Sequence, residues 1–321
     1  MREPPGFWQE RNAPAARLLA PLGAAYGWAT AQRIARAEPF RASVPVICVG
    51  NASLGGVGKT PFALMLLERL TAMGRCPHAL TRGYGGTERG PYQVGPGDPP
   101  ARVGDEALLL SAAAPVWVSV DRAAGARAAS GGGADVIVMD DGFQNPGLSK
   151  TLSFLLVDAE ALFGNGRVFP AGPLREHPER AAARADAIVS VGGPPPDALA
   201  ALAGGKPLLQ SRLALEAHAL PSGPVHAFAG IGRPERFFGA LNDAGLTVAA
   251  RRAFADHHPY TDRDLAPLIG AASAAGVPLV TTAKDFVRVP PSQQDAVTPL
   301  PARMVLPSGD EAWLHERLEA L

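Results

Sequence analysis

The stretch "VPVICVGNASLGGVGKTPFALMLLERLTAMG", residues 44–74, constrains this chain more than any other. Its first third is a continuous β-branched run, the pattern of a strand buried on both faces of a parallel sheet. Its last third carries apolar residues at helical spacing and stops at Gly74. Between them lies a glycine-rich loop close to the phosphate-binding pattern G-x-x-x-x-G-K-[ST]. Counting back five from Gly58 lands on Ser53, so the entry glycine is replaced, while Gly55 and Gly56 lie further in. Strand, glycine loop and helix start are what anion binding needs: backbone N–H groups aimed outward, close backbone approach, and a helix amino terminus behind them. The loop Ser53, Leu54, Gly55, Gly56, Val57, Gly58, Lys59, Thr60 is therefore expected to hold a nucleotide. Lys59 would reach the β- and γ-phosphates, and the Thr60 hydroxyl would hold Mg²⁺.

Further short apolar runs, "HALTRGYGG", "VWVSV" and "DVIVMDDGF", alternate with helical stretches such as "GDEALLLSAAA". This rhythm predicts an α/β fold, a P-loop NTPase-like parallel sheet flanked by helices. The stretch "NPGLSKTLSFLLVD" reads as a turn, a strand and an exit from the first domain. The expected organisation is an N-terminal helical segment over 1–43 and a core over 44–150 completed by a C-terminal helix over 308–321. A second α/β domain over 151–307 would close over the active site. Ser308 and Glu311 stand at capping-box spacing for the final helix.

At 321 residues the chain is comfortable for two domains, and 30 basic residues balance 30 acidic ones, so no overall field favours nucleic acid. Two lone cysteines, Cys48 and Cys76, form neither a disulfide framework nor a metal spacing. No secretory apolar region is evident at the start, and a cytoplasmic setting is expected. Residues 7–43 form an apolar preface containing Tyr26 and Trp28, flanked by Arg17, Arg33 and Arg36. The run from Leu18 to Ala31 is shorter than the ~20 residues a spanning helix requires. Two readings stay open: a helix packed on the domain, or an interfacial helix with arginines for lipid phosphates and aromatics at headgroup level.

Other residue groups invite chemical readings. "VIVMDDGFQ" ends an apolar strand on Asp140 and Asp141, where a nucleotide site needs a carboxylate for its metal. Side chains alternate along a strand, so one of the two is expected to face the metal. In "VGDEALLL", Asp105 and Glu106 sit where a glycine turn feeds a helix; Asp105 is either a helix cap or a base for an attacking hydroxyl. "FADHHPY" offers His257 and His258 on a loop, with no surrounding cluster that suggests zinc. Arg82 of "TRGYGG" is either a phosphate ligand or a surface turn residue. In "TTAKDF", Lys284 and Asp285 are adjacent rather than spaced Lys-x-Asp, which counts against guanine specificity.

Taken together, "VGNASLGGVGKTP", "TRGYGG", "VGDE", "DDGFQ", "FGNGRVFPAGPLRE", "AFAGIGRPERFF", "FADHHPYT" and "TAKDFV", in that order, resemble the tetraacyldisaccharide 4′-kinases. In that family a hydroxyl residue characteristically replaces the first loop glycine, so Ser53 is expected. The resemblance implies transfer of the ATP γ-phosphate to the 4′-hydroxyl of a tetraacylated glucosamine disaccharide 1-phosphate. It also implies a peripheral protein, expected to be monomeric, on the anionic cytoplasmic face of a Gram-negative inner membrane. It makes Asp105 the base and His257 its support, and puts Asp140, Asp141 and Glu176 in the metal and nucleotide region with Thr60. Glu106 and Arg82 would lie toward the substrate. Asn145, Ala107, Ala283 and His177 depart from the usual pattern, none at a residue assigned to chemistry. The rival from another class is a P-loop ATPase or switch, which would share Lys59, Thr60 and the aspartates but need neither the preface nor Asp105.

Overall fold

The computed structural model describes residues 5–217, 220 and 222–321. They divide into two compact units, one formed by residues 5–213 and 304–321, the other by 214–303.

Along the larger unit run helix α1 (Pro14–Ala35), strand β1 (Val46–Asn51), helix α2 (Lys59–Ala72), strands β2 (Pro77–Thr81) and β3 (Tyr92–Gln93), and the short helices α3 (Pro100–Val103) and α4 (Asp105–Leu110). There follow β4 (Val116–Val118), α5 (Arg122–Gly131), β5 (Val136–Asp140), β6 (Leu152–Asp158), α6 (Pro178–Arg184), β7 (Ala187–Val191), α7 (Asp197–Ala203) and β8 (Leu208–Leu215). The smaller unit contributes β9 (Gly223–Ala229), α8 (Pro234–Asp243), β10 (Leu246–Ala253), α9 (Asp262–Ala275), β11 (Leu279–Thr282), α10 (Ala283–Phe286) and β12 (Thr298–Leu300). The chain then returns through β13 (Ala302–Val305) to α11 (Ser308–Glu319).

The larger unit is built on a nine-stranded sheet in the order β13-β8-β7-β6-β1-β5-β2-β4-β3. Neighbours from β8 to β4 are parallel and the short edge strand β3 is antiparallel. Alternation sorts its side chains into two cores. Ile47, Val49, Val136 and Val138 pack under α2 with Phe62, Leu66, Leu67 and Leu70, together with Leu314 and Leu318 of α11. Cys48, Ile137, Met139 and Leu155 face the other way, against Ala181, Ala182 and Leu199. Two-sided burial is why these strands are unbroken apolar runs.

The domain boundary differs from the sequence expectation. β6 pairs in register with β1, and β7 and β8 extend the sheet beyond it, so the larger unit continues to Leu213 instead of ending near residue 150. Apolar runs announce strands but not the sheet they join. The predicted capping box at α11 also gives way: Pro307 is the cap, Ser308 is already helical, and Glu311 instead accepts from Arg69 of α2 at 2.7 Å.

α1 lies along the loop that follows β6. Its buried face is of small residues, Ala16, Gly23, Gly27 and Thr30. A Cβ at Gly23 would fall 2.5 Å from the Val168 carbonyl oxygen, which shows how close the backbones come. The Trp8 indole donates to the Pro170 carbonyl at 3.2 Å, and Tyr26 and Trp8 meet the Phe169 ring edge-on. No helix among the described residues is long and apolar enough to cross a membrane.

The smaller unit carries a four-stranded parallel sheet, order β10-β9-β11-β12. Its fully buried charge is Asp285 of α10. That carboxylate accepts from the Gly230 N–H (2.9 Å), the Tyr260 hydroxyl (2.8 Å), the Thr282 hydroxyl (2.7 Å) and the Arg288 guanidinium (2.6 Å). A buried ion stripped of its partner is costly, so Asp285→Ala should destabilise this unit by about 3–5 kcal/mol and Asp285→Asn by less. Amide hydrogen exchange of β9 and β11 should accelerate accordingly; unchanged exchange in Asp285→Ala would refute the role.

Candidate active site

β1 delivers the chain to Asn51, and α2 begins at Lys59 with Gly58 as its cap. Gly55 and Gly58 have φ of +113° and +86°, a region that only glycine enters without strain. Ser53 is not left-handed, so nothing at that position requires the glycine of the common pattern. The Ser53 hydroxyl accepts from the Asn51 amide at 3.3 Å. The Lys59 ammonium donates to Asn51 Oδ1 at 3.2 Å and lies 3.7 Å from Asp141 Oδ1. The eight loop residues thus present a helix amino terminus and a cation together, the arrangement that binds polyphosphate.

β1 and the turn after β5 approach so closely that a Cβ on Gly50 would stand 2.4 Å from that of Phe143. The register pairs Val49 with Asp140, which sets that carboxylate beside the loop. Following Val136 and Val138 in the alternation, Asp140 faces α2 and accepts from the Thr60 hydroxyl at 2.8 Å. Its other oxygen, Oδ1, is buried without a hydrogen-bond partner among the described residues. Burial pushes the Asp140 pKa up to about 6, against the pull of Lys59. A hydroxyl, a carboxylate and an unsatisfied buried oxygen suit Mg²⁺, which takes one or two protein carboxylates and completes its shell from phosphates and water. Among the described residues no group of three or more His, Cys, Asp or Glu could hold a metal by itself.

Asp141 meets a different environment. Its backbone is left-handed (φ +51°), and both carboxylate oxygens are taken by Arg175, at 2.8 and 3.1 Å. Burial would raise its pKa, but Lys59 and Arg175 outweigh that and hold it below the usual carboxylate value. The two aspartates thus part, as the strand alternation led one to expect: Asp140 is paired with the Thr60 hydroxyl and Asp141 with the cations. Glu176 is engaged by neighbouring side chains. Both its oxygens accept from Arg184 (2.7 and 2.8 Å) and one also from Gln144 (3.0 Å), an arrangement that anchors a loop.

That loop braces the phosphate loop. The Leu54 N–H donates to the Pro173 carbonyl at 2.6 Å, the Arg175 N–H to the Ala52 carbonyl at 2.7 Å, and Ser53 forms an isolated antiparallel bridge with Leu174. Gln144 donates to the Asn51 carbonyl at 2.8 Å from the opposite side. Asn51, Gln144, Arg175 and Arg184 did not stand out in the sequence as site residues. Only the places of Asn51, Gln144 and Arg175 in "VGN", "DDGFQ" and "GPLRE" hinted at them, and Arg184 lies in none of these.

Asp105 is the buried first residue of α4, and Gly104 is its cap, so the capping reading of Asp105 does not hold. Glu106 follows it and is close enough to Asp140 to contribute to its raised pKa. Arg82 is exposed just past β2. It acts electrostatically on Arg122, a buried residue with no distinguishing motif, whose pKa burial lowers to about 10 despite the pull of Asp141 and Asp140.

In the smaller unit the two histidines part. His258 stacks on Phe254 at 4.8 Å and approaches Asp264 at 3.3 Å, a structural setting. His257 is left-handed (φ +59°), and its Nε2 lies 3.3 Å from the Lys284 ammonium. "FADHHPY" and "TAKDF" thus converge on one side-chain pair.

The folded-state pKa of Asp140 lies above its unfolded value of 3.8, so the folded protein holds the proton more tightly and loses stability as pH rises from about 4 through 6. Asp140→Asn removes that dependence. In EDTA, the difference in thermal midpoint between the variant and the parent should shift in the variant's favour as pH goes from about 4.5 to 7. A difference constant across that range would exclude a raised Asp140.

The family model described as tetraacyldisaccharide-1-P 4′-kinase matches residues 15–320. The chain is 53% identical over 290 residues to the tetraacyldisaccharide 4′-kinase of Paramagnetospirillum magneticum, covering 89% of each chain. It is 48% identical to the protein of the same name from Rhodospirillum rubrum, over 98% of this chain and 96% of that one. Among solved structures, the LpxK of Aquifex aeolicus crystallised in complex with ATP superposes with a TM-score of 0.74 at 25% identity, covering 94% of this chain and 99% of the other. With the phosphate loop, its brace and the acidic strand end all in place, the chain belongs to the tetraacyldisaccharide 4′-kinase family.

Proposed function

We propose that this protein is a lipid kinase that transfers the γ-phosphate of ATP to the 4′-hydroxyl of a tetraacylated glucosamine disaccharide 1-phosphate, a step of lipid A synthesis. The observation that carries the reading is the Thr60–Asp140 pair beside Lys59, at the mouth of a phosphate loop. It stands in a chain about half identical to proteins named for that reaction.

The loop N–H groups and Lys59 hold the β- and γ-phosphates and spread the charge that develops during transfer. Thr60 and Asp140 would hold Mg²⁺, which when bound would supply positive charge to offset that of the phosphates. Asp105 accepts the proton of the attacking hydroxyl as that oxygen bonds to phosphorus, and the bond to the β–γ bridging oxygen breaks to leave ADP. His257 supports the base. Arg175 keeps Asp141 ionised and occupied, so that Lys59 remains available to phosphate. Arg82 and Glu106 lie toward the acceptor. Most of the rate comes from positioning and electrostatics.

The acceptor carries acyl chains, and α1 offers a surface for them to lie against. Leu18, Leu22 and Trp28 are 81%, 60% and 65% exposed, and no acidic residue interrupts Pro14–Ala35. Arg17, Arg33 and Arg36 border that face. We infer an interfacial helix on the anionic cytoplasmic face of the inner membrane, carried by a monomer.

Asp105→Ala should lower lipid-dependent turnover by about 10²–10⁴-fold while leaving ATP affinity, measured by calorimetry, nearly unchanged. Lost ATP binding would assign Asp105 to the nucleotide instead, and ATP turnover indifferent to added lipid acceptor would sink the kinase reading. Replacing Leu18 and Leu22 together by glutamate should release the protein from sedimenting anionic phosphatidylglycerol vesicles without changing its thermal midpoint. Unaltered co-sedimentation would make α1 a packing element.

A further inference from the structure

His257 is held by more than its own loop. Its N–H donates to the Gly230 carbonyl at 3.0 Å, and Arg288 donates to the carbonyls of His258 (3.1 Å) and Gly230 (3.2 Å). Arg288 is itself fixed by the buried Asp285, the residue next to Lys284 on α10. The same buried ion pair therefore sets the backbone at both His257 and Lys284. The side chains meet with Lys284 Nζ 3.3 Å from His257 Nε2, whereas Asp256 Oδ1 lies 3.9 Å from that nitrogen, beyond hydrogen-bond range.

A lysine ammonium has three donors and no acceptor. At this contact His257 Nε2 must therefore be the acceptor, and the ring proton belongs on Nδ1. We propose that Lys284 is a positioning residue that locks His257 as the Nδ1–H tautomer, so that the ring acts from Nδ1 as a hydrogen-bond donor. This rests on the reading of His257 as the support of a carboxylate base, and it deepens that reading. A histidine whose Nε2 lone pair is committed to a cation does not take up the acceptor's proton. It donates a hydrogen bond and leaves the proton to the base. Lys284 thus decides which of two roles, orienting donor or proton acceptor, the imidazole plays.

The test is histidine ¹⁵N NMR on the full-length protein together with steady-state kinetics. In the parent, His257 should show the Nδ1–H pattern. In Lys284→Met, of similar length without the ammonium, the ring should move to the Nε2–H form, and kcat should fall about tenfold or more with KM for ATP within about twofold. Lys284→Arg, again a donor without an acceptor, should restore the Nδ1–H signal and most of kcat. A retained Nδ1–H signal in Lys284→Met overturns the lock, and so does a kcat within about twofold of the parent. The NMR readout needs no turnover, so a failed lock is distinguishable from a failed mechanism. His257→Ala tests the supporting role separately, and full activity there would sink both.

Discussion

Asp141 sits between two cations, and the nucleotide end of the molecule is organised around that one charge. Lys59 reaches it from the start of α2 and Arg175 clasps it with both guanidinium nitrogens. Bidentate pairing fixes orientation as well as charge. Because the Arg175 backbone also donates to Ala52, the ion pair and the loop bridge brace each other. Gln144, Glu176 and Arg184 extend the clamp outward. Two cations share one carboxylate, so the charge of Asp141 does not by itself cancel theirs, which suits the binding of a polyphosphate.

Consecutive aspartates on one strand end therefore have opposite chemistry. Asp140 is turned under α2 into a dry setting that pushes its pKa up to about 6. Asp141, one residue on, has left the strand through a left-handed backbone and is kept ionised by its partners. Neighbours in sequence are separated by the pleat, and the environment, not the residue type, sets the charge each one carries.

The brace also joins the preface to the phosphate loop. The small residues of α1 settle on Val168 and Ala171, and the same loop runs on through Pro173 and Leu174 to hydrogen-bond with Leu54 and Ser53. A helix whose outer face is apolar is thus packed, on its inner face, against the support of the nucleotide site. In the smaller unit a buried ion cluster does comparable work, since Asp285 ties the ends of β9 and β11 to the loop that carries His257.

Local pattern was enough for the phosphate loop, the acidic strand end, the α/β rhythm and the apolar preface, because each depends on residues close in sequence. The strand before Gly55 and the helix after Lys59 could be read from periodicity, and the serine at position 53 from the family resemblance. What the sequence left open involves pairs far apart along the chain. That β6, β7 and β8 continue the first sheet depends on which edge of β1 is free. That Glu176 holds Arg184, that Arg175 holds Asp141, and that Lys284 meets His257 depends on how separate loops are brought to the ends of parallel strands. Residue type and spacing determined which groups could do chemistry here; only the tertiary structure decided which of them face each other, because burial and charge pairing act through space and not along the chain.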